Sequence, residues 1–181
     1  GIGVSSVQKK ILKKNFNGIK MVYIGSISER RELDTIVKAI IILMQKHQKN
    51  ITMDFIGDGD SKEKIRYLVP DNLKNSIRIL PKISRSSIKN KLNEYHIGIG
   101  YVPNGVYEYA PALKVLEYMA AGLVVVASST IGLKKYIKHE RNGYISKNDV
   151  DSWAFELNKA VSCIHDDLIR INALKTSANY I

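Results

Sequence analysis

The chain has 181 residues, 45% of them hydrophobic and 25% charged, with a formal net charge of +11. That composition fits one soluble globular domain, and so basic a balance points to an anionic partner: phosphorylated ligand, acidic membrane surface or nucleic acid. A single cysteine, Cys163, excludes an intramolecular disulfide, and the longest apolar run, about Ala39–Met44, is far below the ~18 residues of a membrane span.

In chain order, residues 1–19 read as a linker or arm, and 20–181 as the folded unit. Met21–Ile24 is a short β-rich run ending at Gly25. Ser28 is placed to cap a helix whose apolar residues, Leu33, Ile36, Val37, Ile40, Ile41 and Met44, recur with helical period. Thr52–Ile56 reads as the next strand, closed by Gly57-Asp58-Gly59, and a helix follows over Lys62–Val69. Then come a strand Ile77–Leu80, a helix Ser84–Tyr95, a strand Ile97–Val102 and a loop through Tyr109. A helix over Pro111–Gly122 feeds the apolar run Leu123–Ala127. A helix Gly132–His139, a turn at Asn142-Gly143 and a short strand Tyr144–Ile145 follow. Helices over Val150–Ile164 and Asp166–Ala178 close the chain, and Cys163 falls in the apolar pattern of the first, as a buried reduced thiol. This alternation predicts an α/β fold with a doubly wound, Rossmann-like parallel sheet. Ligands of such sheets bind beyond the carboxyl ends of the strands. Gly25, Gly57, the 102–109 loop and the start of the 111–122 helix all lie there.

The Pro111–Gly122 segment carries the most chemistry. Pro suits the first helical position, and Gly122 suits a left-handed cap. Lys114 stands in the first turn, where free amides and the helix dipole attract anions, and Glu117 is on the same face. A lysine and an amide nest suit phosphates, and a nearby carboxylate suits a sugar diol. Spacing alone leaves open an ordinary surface ion pair. For Gly57-Asp58-Gly59, a ligand-facing loop and a plain tight turn stand equal.

These segments together resemble the C-terminal half of a GT-B glycosyltransferase, most like glycosyltransferase family 4. Met21-Val-Tyr-Ile-Gly25 is similar to the family's first strand and glycine turn, and Arg31-Glu-Leu-Asp34 to its Lys-Gly-Leu-Asp. Asp54-Phe-Ile-Gly57-Asp-Gly59 resembles its second strand and loop, and His96-Ile-Gly-Ile-Gly100 the strand before the donor loop. Pro111-Ala-Leu-Lys-Val-Leu-Glu-Tyr-Met-Ala-Ala-Gly122 is close to the signature of one branch. Asn142-Gly143 resembles a later Asn-Gly pair, and Gly1-Ile-Gly-Val4 the interdomain crossing.

The resemblance implies a donor domain that binds a nucleotide-diphosphate sugar for transfer to a glycan or lipid-linked acceptor. The acceptor site would lie on an N-terminal domain not in this chain. It implies a retaining hexosyltransferase of cell-surface polysaccharide or glycoconjugate synthesis, with no cofactor beyond the donor. Lys114 and Arg31 would meet the diphosphate, and Glu117 would hold the ribose. Gly25, Arg30, Gly57, Glu108, Tyr109, Pro111, Ala112 and Leu113 would line the donor. Tyr109 stands where the family's first motif acid falls, with Glu108 one residue away. Ser26 replaces the usual arginine after the glycine turn, and Arg30 is placed to compensate. Arg30 and Arg31 would sit in a first helical turn, against the dipole. His96 reads as structural.

Asp58-Gly59-Asp60 is literally Asp-x-Asp, a spacing that can hold a divalent cation. It follows a strand of a doubly wound pattern without further acids nearby, so no metal is expected. The segment after Ile24, Gly-Ser-Ile-Ser-Glu-Arg, lacks the Gly-x-Gly-x-x-Gly of a dinucleotide-dependent oxidoreductase. A nucleic-acid module would interleave aromatics with its basic residues. The clusters Lys9–Lys14 and Lys134, Lys135, Lys138, Arg141 are nearly bare of them. Peripheral contact of a cytoplasmic protein with an anionic membrane face is the better use of the charge.

Overall fold

The computed structural model describes residues 17–47, 50–105 and 107–180. The Lys9–Lys14 cluster, the Gly1–Val4 segment and most of the expected arm lie outside the described residues.

Six parallel strands form one sheet: β1 (Ile19–Ile24), β2 (Ile51–Ile56), β3 (Ile77–Leu80), β4 (Ile97–Gly100), β5 (Val124–Ser128) and β6 (Tyr144–Ser146). Their order is β3-β2-β1-β4-β5-β6, with β1 paired in register to β2 from Ile19↔Ile51 to Ile24↔Ile56. The α/β doubly wound expectation is met. The direction of winding reverses between β1 and β4, and a crevice opens there at the carboxyl ends.

Helices α1 (Asp34–Lys46), α2 (Lys62–Leu68), α3 (Arg85–Leu92), α4 (Leu113–Ala120), α5 (Ile131–Lys134), α6 (Val150–Ser162) and α7 (Asp167–Ser177) cover the two faces. The strands are apolar on both sides because both faces are buried. Met21 and Tyr23 of β1 enter one core with Ile36, Ile40, Trp153 and Leu157 of α1 and α6. Val22 enters the other, with Val115 and Met119 of α4 and Ala173 of α7.

Several element ends differ from expectation, each for a local reason. Ser28 does not cap α1. It precedes a separate 3-10 turn, Glu29–Arg31, closed by Glu32 in the left-handed region (φ 48°). Arg30 and Arg31 therefore stand before α1, not against its dipole. Pro111 lies one residue before the N-cap Ala112 of α4, so it is outside the helix. Gly122 is left-handed (φ 72°) and closes α4 as expected, with Leu123 N–H on the Tyr118 carbonyl at 3.0 Å. β4 stops at Gly100, and Val102 N–H goes to Ser128 Oγ at 2.8 Å. The helix expected over 132–139 forms only one regular turn. Asn142 takes Lys138 N–H at 2.7 Å and donates to the Tyr136 carbonyl at 3.0 Å, so its side chain replaces helical bonds. Cys163, expected to be buried, is exposed at the C-cap of α6. His96 is structural: its Nδ1 accepts from Lys20 N–H at 2.9 Å.

Candidate functional site

The site is built where the loops after β1, β2 and β4 meet the N-terminus of α4. The first two loops are bound to each other, with Ile27 N–H on the Asp58 carbonyl at 2.9 Å and Ser61 N–H on the Ile27 carbonyl at 3.0 Å. A Cβ at Gly57 would run into the Gly25 carbonyl, and one at Gly59 into the Ile27 backbone. Close backbone approach therefore explains both glycines. Asp54, in the β2 segment, ties this edge down from below. It is buried, holds Arg78 bidentately at 2.8 and 2.9 Å, and accepts from Tyr95 Oη at 2.6 Å.

Tyr118 wedges α4 against the sheet. Its hydroxyl accepts from Ile24 N–H at 2.9 Å, satisfying a donor at the end of β1, where pairing with β4 has ceased. A side chain at Gly98 would meet the Tyr118 ring at 2.5 Å. The ring thus lies over β4 at Gly98 while the hydroxyl reaches the end of β1, at the switch point in front of α4. A glycine inside strand Ile97–Gly100 was the sequence signal for such an approach.

Lys114 points into this crevice. Its Nζ lies 4.2 Å over the Tyr23 ring, and a Cβ on Gly25 would collide with it. Desolvation, aided by the nearby Arg31 and opposed by Glu117, pulls the lysine down to about 8. Burial pushes the Tyr23 hydroxyl up to about 12 against the pull of Arg31. The Arg31 guanidinium carbon, Cζ, lies over the Tyr107 ring, 4.4 Å from its centroid. Lys114 does not form the surface pair its spacing allowed, because Glu117 lies instead 3.8 Å from the exposed Arg85 guanidinium. Among the described residues neither Lys114 nor Arg31 lies within ion-pair distance of a carboxylate. By helix geometry the amides of Leu113, Lys114 and Val115 have no intrahelical acceptor. Two cations and a helix terminus thus converge with no anion among them.

The structure brings Gly25, Arg31, Lys114, Ala112 and Leu113 together. Arg30 is exposed, and so are Pro111 and Tyr109, the latter 74% accessible. Glu108 is engaged elsewhere: its carboxylate accepts from Ile131 N–H at 3.1 Å and its carbonyl from Gly132 N–H at 2.9 Å. It fastens the loop to α5. The Asp-x-Asp carboxylates also serve the fold. Asp58 holds Lys62 at 2.5 Å, and Asp60 caps Glu29 N–H at 3.0 Å. Among the described residues no cluster of three or more His, Cys, Asp or Glu could hold a metal. The sequence reading missed Tyr23, Tyr107, Tyr118 and Arg85, whose roles come from tertiary contacts.

Residues 18–163 match the family model described as glycosyl transferases group 1. Two uncharacterized glycosyltransferases of Methanocaldococcus jannaschii are similar, one 24% identical over 78% of this chain and 35% of its own length, the other 26% identical over 89% and 38%. The chain spans a little over a third of the length of these curated relatives. Among solved structures, the catalytic domain of cholesterol-α-glucosyltransferase from Helicobacter pylori superposes with a TM-score of 0.74 at 16% identity, over 90% of this chain and 99% of that one. The C-terminal domain of the group 1 glycosyl transferase LpcC from Francisella tularensis gives 0.73 at 17%, over 97% and 93%. Anabaena HepE, solved in complex with UDP and glucose, gives 0.74 at 16%, over 90% of this chain and 44% of that one. With the family match running from β1 to the end of α6, this chain belongs to the group 1 glycosyltransferases, as a C-terminal, Rossmann-like domain of the GT-B fold.

Proposed function

We propose that this domain binds the donor, a nucleotide-diphosphate sugar, for glycosyl transfer to a glycan or lipid-linked acceptor. The observation that carries the reading is the pair of cations, Lys114 and Arg31, held at the β1/β4 crevice without a carboxylate partner. A diphosphate supplies the missing charge. Lys114, Arg31 and the amides at Leu113 and Lys114 would stabilise the negative charge that grows on the leaving diphosphate. A guanidinium can grip two phosphate oxygens at once. Glu117, three residues along α4, would accept from the ribose hydroxyls and so fix the register of the donor. The structural neighbour crystallised with UDP and glucose supports a donor of this kind.

The phosphate charge is met by cations and amides, so binding needs no divalent metal and no cofactor. The acceptor site belongs to a partner domain, and the chemistry assigned is retaining transfer of a hexose, as in family 4, within polysaccharide or glycoconjugate synthesis. No described helix is long and apolar enough to cross a membrane. The exposed Lys134, Lys135, Lys138 and Arg141 would contact an anionic cytoplasmic membrane face.

The test is calorimetric titration of the chain with UDP, GDP and ADP and their sugar esters. Binding of at least one diphosphate, with the monophosphate much weaker and no transfer to acceptor by this chain alone, is the expected result. No binding to any of them overturns the donor reading.

A further inference from the structure

Arg31 comes from the 3-10 turn after β1, yet its resting place is set by a different loop. The chain between β4 and α4 carries Tyr107, whose ring lies under the guanidinium. That loop is pinned on both sides of the ring. Before it, the Val102 carbonyl accepts from Asn148 Nδ2 at 2.6 Å, and Asn104 Oδ1 accepts from the same nitrogen at 3.0 Å. After it, Glu108 holds the Ile131 and Gly132 amides of α5. Between these pins Gly105 is in the left-handed region (φ 94°) and its carbonyl accepts from Glu108 N–H at 2.9 Å. The close approach of Gly132, where a Cβ would meet the Ala110 carbonyl at 2.5 Å, fixes the loop's far end.

Arginine has a long, flexible side chain whose rotamer freedom is lost on binding. A ring beneath the guanidinium carbon removes much of that freedom before a ligand arrives. The stack also leaves the charge unneutralised, as a carboxylate partner would not. Lys114 stands on the Tyr23 ring in the same manner. Both cations are therefore held by aromatic faces, oriented yet still positive.

We infer that Tyr107 is a positioning residue of the donor site: its ring is the shelf that holds the Arg31 guanidinium for the diphosphate beside Lys114. The inference rests on the donor reading above and adds to it a residue outside the resemblance, on the loop that joins the site to α5. Its role lies in the ring's face, not in its hydroxyl. Tyr107→Phe keeps the shelf and Tyr107→Leu removes it, while both leave the buried core untouched.

The experiment has a ligand-free arm and a ligand arm. In the first, the Arg31 Nε–H resonance of the chain is observed by nitrogen-15 NMR, assigned by its disappearance in Arg31→Met. A ring-current shift present in the wild type and in Tyr107→Phe, and absent in Tyr107→Leu, is expected. A resonance unmoved by Tyr107→Leu overturns the shelf whatever the ligand does. In the second arm the chain is titrated with UDP, GDP and ADP, and with the matching monophosphates. Tyr107→Leu should weaken the preferred diphosphate about fivefold, in line with a cation–π interaction of ordinary strength, and the monophosphate less. Tyr107→Phe should bind as the wild type does. In Arg31→Met the further change Tyr107→Leu should have no effect, a non-additivity that general loosening of the loop does not produce. Equal losses in both Arg31 backgrounds overturn the inference. If no diphosphate binds the wild type while the NMR shift is present, the donor reading falls and the shelf remains as a packing contact only.

Discussion

Replacing Lys114 by Met should make the ligand-free domain more stable while removing its affinity for a diphosphate. The ammonium sits over Tyr23 in a place where burial pulls its pKa from 10.5 to about 8. The fall from 10.5 to about 8 sets an upper bound of about 3 kcal/mol on the penalty for keeping the charge there. The side chain is partly exposed, and the attraction between ammonium and ring disappears along with the charge. Both effects lower the expected gain to about 1–2 kcal/mol. Met keeps the apolar stem and can rest its thioether on the same ring. For a chain of this size the gain corresponds to a rise in Tm of about 2–8 °C. The pH dependence has a definite sign. Below pH 8 the lysine is charged in both states, and the folded state bears the full penalty. Between pH 8 and 10.5 the folded lysine is neutral and the unfolded one still protonated, so the unfolded state binds more protons and wild-type stability rises with pH. The advantage of Lys114→Met should therefore narrow across that window. Thermal unfolding by circular dichroism from pH 7 to 10.5, with calorimetric titration of UDP, GDP and ADP at pH 7, reads both effects. A variant less stable than the wild type at pH 7, or an advantage that does not change with pH, would refute the reasoning.

Glu117→Gln should weaken nucleotide binding by about 1.5–3 kcal/mol, with most of the loss absent when the ribose lacks its hydroxyls; equal losses for ribo- and deoxynucleotides in calorimetry would remove its assigned role. Gly57→Ala should destabilise the fold by more than about 2 kcal/mol, because its Cβ meets backbone, the Gly25 carbonyl. Gly25→Ala, whose Cβ meets Lys114 Nζ and lies 3.1 Å from the Tyr23 hydroxyl at a backbone φ of 158°, should lower both affinity and stability, and urea unfolding beside titration reads the two. Affinity should be unchanged by EDTA and by Asp60→Asn, whose carboxylate caps the Glu29 amide; a collapse with chelator would restore a metal at Asp58 and Asp60.

The alternation of strands and helices was legible because each element has its own period and punctuation; the strand order β3-β2-β1-β4-β5-β6 was not, because right-handed crossovers are compatible with several orders. Lys114 and Arg31 were legible through the resemblance, and Lys114 also through its place in the first turn of a helix. What was not legible depends on contacts between distant segments. Nothing near Arg31 in sequence announces Tyr107, and nothing near Ile24 announces the Tyr118 hydroxyl that completes its hydrogen bonding. Ser28 looked like a cap because Ser is a good one, yet the chain needs a 3-10 turn first to bring Arg31 back toward the crevice. Glu108, one residue from the acid absent at Tyr109, is placed on the donor by the resemblance, yet its carboxylate accepts from the Ile131 amide of α5. Cys163 followed the apolar pattern of α6 to its end, where the helix stops and the thiol emerges.

The departures from ordinary folding preference are not scattered. A desolvated lysine without a carboxylate, four glycines pressed by neighbouring side chain or backbone (Gly25, Gly57, Gly59 and Gly98), and a tyrosine hydroxyl at the end of β1 all lie at or beside the β1/β4 crevice. Each opposes what packing alone would choose, and at such a place function is the usual reason. Their common effect is to keep positive charge close to a helix N-terminus while withholding protein anions. Glu117, the nearest candidate to neutralise Lys114, lies beside Arg85. Glu108 is drawn away by α5, and Asp58 and Asp60 by Lys62 and the Glu29 amide. The surrounding acids thus have partners of their own, and among the described residues Lys114 and Arg31 have no ion-pair partner; the donor reading proposed above would have a diphosphate supply it. An anion entering the crevice relieves the repulsion between the two cations and restores the lysine toward its ordinary pKa, so part of its binding energy is the release of a strain the fold already carries.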